Sequence, residues 1–183
     1  MRTIVGITGA SGAIYAVDFL RRCGGDKYLI ASKWGKAVLN EELDVKVEEL
    51  SQWANKTFSD SDLAAPFSSG SNHFDAMVIV PCSVSTLAKI ANGIADTLIT
   101  RTAQVALKEK RKLIIALRET PLSTVALENA ARLSSYGAVI MPISPPHYTG
   151  AKTAEELVGG FVNKLLSVSS GDHTDGWRSG ELD

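Results

Sequence analysis

Cysteine is scarce in this chain. Cys23 and Cys82 are the only two among 183 residues, they stand far apart, and neither sits in a Cys-x-x-Cys pair. Such usage speaks against a disulfide framework or a zinc site and fits a reducing compartment, so a cytoplasmic location is expected. No metal is expected. Charge of one sign is lacking too: 19 Lys and Arg oppose 20 Asp and Glu, a formal net charge of −1. No surface for nucleic acid or an anionic membrane is therefore implied. No apolar run approaches the ~20 residues of a membrane span. The first residues enter a strand pattern directly, with no signal or transit peptide expected, and no internal repeat occurs. What is present is a 45% hydrophobic chain, long enough for one full core. The expected organisation is a single domain over 1–168 and a polar, aperiodic tail or arm over 169–183.

The chain is organised around residues 4–20. An apolar, β-branched run over 4–7 reads as a buried strand. Small residues follow, Thr8-Gly9-Ala10-Ser11-Gly12, and then Ile14, Val17, Phe19 and Leu20 resume at helical spacing. Strand, tight turn and helix in this order place backbone N–H groups at the positive end of a helix dipole, an arrangement suited to a phosphate. The pattern is neither G-x-G-x-x-G nor a P-loop. A turn that merely packs a strand on a helix would use the same residues. Ser11, where the helix begins, either caps it or faces a ligand.

Strand and helix alternate from there on. A second strand is predicted over 27–31, with Ser32 at its end as an N-cap or a second anion contact, and a helix over 34–42. An amphipathic helix is predicted over 45–55, and loop over most of 57–73. The apolar run 76–80 is the third strand, and Pro81-Cys82-Ser83-Val84-Ser85-Thr86 turns into a helix over 86–91. Small polar turns after two buried strands resemble the crevice of a doubly wound sheet, where ligands bind at the reversal of strand order. A long helix is predicted over 94–110, with Arg101, Gln104 and Lys108 on one face. A strand over 112–117 ends in Arg118-Glu119, an active-site position in this architecture. A helix over 122–136, capped by Gly137, a strand over 138–141, a proline-rich loop with His147 and Tyr148, and a helix over 152–167 complete the domain. The expected fold is a three-layer α/β Rossmann-like (flavodoxin-like) doubly wound parallel sheet.

Several blocks occur in the order found in the UbiX family: Gly9-Ala10-Ser11-Gly12, Ser69-Gly70-Ser71, Pro81-Cys82-Ser83, Arg101 through Leu107-Lys108-Glu109, Arg118-Glu119-Thr120-Pro121-Leu122-Ser123, Leu127-Glu128-Asn129 and Tyr148. The chain resembles these flavin prenyltransferases, formerly described as aromatic acid decarboxylases, over about residues 4–166. The resemblance implies transfer of a dimethylallyl group from dimethylallyl monophosphate to N5 and C6 of reduced FMN. The prenylated FMN would serve a UbiD-type decarboxylase. It also implies a dodecamer in which neighbouring subunits complete each site. By the same resemblance Gly9, Ala10, Ser11, Ser32, Ser83, Val84, Ser85, Thr86 and Arg118 would hold FMN. Tyr148, Lys164, Lys108 and Arg101 would hold the donor phosphate, and Ser11, Glu42 and Glu119 would surround the reacting flavin edge.

That chemistry agrees with the residue types. A departing phosphate builds negative charge, which fixed Arg, Lys and Tyr donors stabilise, and the allylic cation needs an aromatic face and exclusion of water. Trp177 in the tail is one candidate for that face. Lys164 stands where many relatives carry arginine, keeping the charge but losing the bidentate fork, and His147 stands where phenylalanine is usual. Two other readings remain: an FMN-dependent cysteine decarboxylase of the related flavoprotein class, and a non-catalytic FMN-binding subunit. His73, His147 and His173 are misplaced for the first, and the presence of Glu119, Lys108 and Arg101 speaks against the second.

Overall fold

The computed structural model describes residues 1–171. Its core is a parallel sheet whose strands are β1 (Arg2–Ile7), β2 (Asp26–Ala31), β3 (Lys56–Ser59), β4 (Ala76–Cys82), β5 (Lys112–Leu117) and β6 (Val139–Pro142), in the order β3-β2-β1-β4-β5-β6. The helices are α1 (Ala13–Arg22), α2 (Lys33–Leu43), α3 (Val84–Ala91), α4 (Leu98–Lys108), α5 (Thr124–Ser135) and α6 (Ala154–Ser170). Alternation along the strands divides the core in two. Ile4, Ile30, Met77, Ile79 and Ile115 pack with α3, α4 and α5 on one face. Val5, Ile7, Leu29, Val78 and Ile114 pack with α1, α2 and α6 on the other. Strands apolar on both faces are what a sheet covered by helices on both sides requires. The expected three-layer architecture is present.

Some expected elements differ. The segment predicted as a helix over 45–55 forms only a 3-10 turn at Val47–Gln52, and the chain then enters β3, a strand absent from the sequence reading. Only Phe58 of its four residues is buried, so it offers no alternation to recognise. Without β3 the remaining five strands follow the flavodoxin-type order; with it the sheet acquires the order 3-2-1-4-5-6.

The helix predicted from residue 94 begins at Leu98 instead. Gly93 takes a left-handed φ of 73° after α3, and Thr97 caps α4 by accepting from Thr100 N at 3.3 Å. The last helix runs past the expected boundary at 168, because the ammonium of Lys112 on β5 binds the carbonyls of Val168 and Ser169 at its end. Gly171, at φ 81°, closes it. Tyr136, not Gly137, is the cap residue of α5, and Gly137 follows it with φ 96°.

Candidate functional site

The strand order reverses between β1 and β4, which pair side by side but continue to opposite edges of the sheet. Their carboxyl ends are tied by Thr8. Its hydroxyl donates to the carbonyl of Pro81 at 2.8 Å and accepts from the N–H of Ser83 at 2.8 Å, and the residue is almost fully buried. This one threonine fixes the floor of the crevice; the sequence placed it in the small-residue turn after β1 but gave no sign of these two bonds.

A cleft of about 550 Å³ opens above it, within the ~300–1,000 Å³ usual for small-molecule sites. Gly9, Ser32, Ser83, Val84, Ser85, Thr86 and Glu119 all line it, so seven of the sequence-predicted residues converge. Ser32 and Ser83 are N-caps: Gly35 N donates to Ser32 Oγ at 3.0 Å and Thr86 N to Ser83 Oγ at 3.3 Å. These caps fix the starts of α2 and α3 while leaving Lys33, Trp34, Val84 and Ser85 N–H groups without an intrahelical acceptor. Two positive helix ends thus meet one cleft, a favourable place for an anion. Lys33 and Lys89 add side-chain charge to its lining, and Lys89 is paired with Asp96 at 2.6 Å.

The start of α1 is different. The carboxylate of Glu42 accepts from Gly12 N at 2.9 Å and from Ala13 N at 2.8 Å. Glu42 titrates below the usual carboxylate value: burial acts to raise it, but hydrogen bonds from Ser11, Ala13 and Gly12 and the charge of Arg118 together outweigh that. The anion at this helix start is therefore the protein's own. A phosphate has its opening at α2 and α3, and the Ser11 hydroxyl is engaged by Glu42. Ala10 is buried beneath this turn. Arg118 is half-buried, and its charge also bears on Tyr15, whose hydroxyl is pushed up by burial and lowered by that arginine. Glu42, Ser11, Arg118 and Tyr15 thus form one polar group beside the cleft.

Glu119 is exposed at the cleft, where Thr120 N donates to its carboxylate at 3.0 Å. Arg101 and Lys108 lie elsewhere. Arg101 Nε donates to the carbonyl of Ser68 at 2.9 Å and Lys108 pairs with Glu109, so α4 turns both cations toward the 68–71 loop. The same chain does not bring them to its own cleft. Tyr148 is exposed in the loop after β6. Lys164 is exposed on α6, about 15 Å along the helix from its start at about 1.5 Å per residue. Trp177 and His173 lie outside the described residues.

Sequence reasoning missed Thr8, Trp34, Asp60 and Lys89. Asp60 accepts from Ile99 N at 2.9 Å, which joins the end of β3 to α4; a reading without β3 had no reason to place it here. Among the described residues no three His, Cys, Asp or Glu side chains gather as a metal site, and no helix is long and apolar enough to cross a membrane. His73 is paired with Asp75, which also binds the N–H of Arg2 at the opposite end of the sheet.

The profile of the flavoprotein family matches residues 1–166. A flavin prenyltransferase UbiX from Thermoplasma acidophilum is 48% identical over 169 residues, covering 92% of this chain and 94% of that protein. Another from Methanocaldococcus jannaschii is 42% identical, covering 95% and 96%. A solved structure described as AnUbiX (PadA1) in complex with FMN and dimethylallyl pyrophosphate superposes with a TM-score of 0.90 at 39% identity, covering 97% of this chain and 98% of that one. The peptidyl-cysteine decarboxylase EpiD, at 20% identity and a TM-score of 0.64 over 88% and 97% of the chains, shares the fold alone. The chain belongs to the flavoprotein family, among the UbiX flavin prenyltransferases.

Proposed function

We propose that the cleft at the β1–β4 switch point holds reduced FMN and that the protein transfers to it a dimethylallyl group from dimethylallyl monophosphate. The observation that carries this reading is the meeting of two capped helix starts, α2 and α3, with Gly9 and Glu119 in one cleft of a UbiX-type chain. The donor set suits the cofactor. Backbone N–H groups at Val84, Ser85, Lys33 and Trp34 match a phosphate, while Gly9 lets the Trp34 turn close onto the end of β1 at the side of the cleft. Bound reduced FMN would supply nucleophilic positions N5 and C6.

The chain's own residues would do the rest. Glu119, fixed by Thr120 N, accepts and returns the protons that pass at the ring edge. The Glu42–Ser11–Arg118 group orients the turn over β1 and places one positive charge near the ring. In the transfer the donor's C–O bond would break, its electron pair leaving on phosphate, as a carbon–nitrogen bond to N5 replaces the N5–H bond. Closing the ring would take one proton onto the dimethylallyl double bond and release one from C6, so the flavin would gain C5H8 overall. Arg101 and Lys108 balance the leaving phosphate. Since both face away from their own cleft, they serve the cleft of a neighbouring copy, with Tyr148 and Lys164 on the same donor. This supports a closed homo-oligomer; a solved relative from Escherichia coli O157:H7, 37% identical, is described as dodecameric. The product would pass to a UbiD-type decarboxylase in the cytoplasm.

The donor in the solved relative is a pyrophosphate. A monophosphate fits this chain because no cluster of carboxylates gathers among the described residues to hold the metal a diphosphate would bring. Anaerobic turnover with each donor separates the two. Prenylated flavin formed in step with inorganic phosphate from the monophosphate is expected; prenylated flavin formed only from the pyrophosphate donor, with inorganic pyrophosphate as the leaving group, would overturn the donor assignment.

A further inference from the structure

Trp34 lines the cleft yet remains 67% exposed among the described residues, a large apolar ring open at the cleft. Its base is not loose. A Cβ placed on Gly9 would lie 2.4 Å from Trp34 Cβ, and a Cβ on Gly35 would lie 2.4 Å from the carbonyl oxygen of Ile7. The first turn of α2 is therefore pressed onto the end of β1, and at both Gly9 and Gly35 a side chain would collide with that contact. This close approach fixes where the Trp34 side chain departs from the backbone. The ammonium of Lys33 sits 5.5 Å from the ring centroid, near enough for a cation–π contact. An indole anchored at its root, exposed at its tip and placed beside two helix starts is suited to meet a flat ligand.

We propose that Trp34 is a positioning residue for the flavin, with its indole forming one wall against the ring system. The proposal rests on FMN occupying this cleft, as argued above. An aromatic wall here adds apolar contact that backbone donors cannot give. It also displaces water from the neighbourhood in which the donor's allylic carbon ionises. The wall comes from the first turn of α2.

The test is an FMN titration of the oxidised, unliganded protein and of its Trp34→Phe and Trp34→Ala variants, read by affinity and by the emission of bound flavin. Indole in contact with flavin quenches its emission by electron transfer, which a phenyl ring does not do. The parent is expected to bind FMN with quenched emission. Trp34→Phe is expected to keep affinity within about threefold, since an aromatic face remains, while its bound flavin becomes brighter. Trp34→Ala should weaken binding on the order of ten-fold or more, in line with loss of an aromatic stacking partner. Because the ring is largely exposed, both variants should unfold at the parent's midpoint, and the phenylalanine variant carries the optical readout should the alanine variant fail to fold. Parent affinity and parent emission in both variants would overturn the proposal. Those same values with a changed oligomer size would overturn it in favour of a contact between copies. A parent that binds no FMN would refute the function itself, a different failure.

Discussion

At the residue scale the proposed chemistry gives two glutamates different tasks. Glu42 is a structural carboxylate at the start of α1. Its folded value lies below the ordinary 4.5, so its stabilising contribution is complete above that value and is lost as pH falls through the lower folded value. Glu42→Gln should cost about 1 kcal/mol near neutral pH, the usual worth of a helix cap. The gap to the parent should close on acidification, followed by thermal unfolding from pH 7 to pH 3. A gap that stays constant with pH would show that the ionised form is not what stabilises the turn. In the proposed reaction Glu119 carries the proton chemistry, and Glu119→Gln should keep FMN binding while product formation slows by about 10²–10⁴-fold, the range of general acid–base catalysis. Product at the parent rate would make Glu119 a structural residue. Ser11, Ser32 and Ser83 were legible because small hydroxyl residues at strand ends advertise helix starts. Ser11's engagement by Glu42, 31 positions away, was not, since only the packed α2 brings the carboxylate over the α1 start. Thr8 was hidden for the same reason: its importance lies in bonds to Pro81 and Ser83.

At the element scale the site depends on how closely α2 is laid on β1. Gly35→Ala would push a methyl to 2.4 Å from the Ile7 carbonyl oxygen, a backbone atom with no room to yield. We expect a loss of about 1–3 kcal/mol, the ordinary cost of overpacking, together with weaker FMN binding as the Trp34 turn lifts. Denaturant unfolding with a parallel flavin titration checks both, and a variant with parent values in each would show that the approach is not needed. The long apolar strands β1, β4 and β5 and the helices between them were readable from periodicity. The edge strand β3 was not: it is four residues long with one buried side chain, and its pairing with β2 rather than its composition makes it a strand. Missing β3 also concealed Asp60, which stands just after it.

At the scale of the whole molecule, the chain separates the halves of its proposed site. The flavin cleft lies at the β1–β4 switch point, while Arg101 and Lys108 face the 68–71 loop. A sequence lists all these residues without saying which belong to one cleft, and the fold supplies that distinction. Two variants, Arg101→Ala and Glu119→Gln, should each be slow alone. Dissociated, mixed and reassembled, they should recover activity, because some clefts then combine an intact Glu119 with an intact Arg101 from another copy. No recovery in demonstrably mixed oligomers would place both residues in one subunit's site. The most direct test of the central claim is the mass of the flavin extracted after anaerobic turnover of the parent protein with reduced FMN and dimethylallyl monophosphate. FMN enlarged by one C5H8 unit, formed together with inorganic phosphate, is expected; flavin that binds but is recovered at its original mass would contradict the proposed transfer.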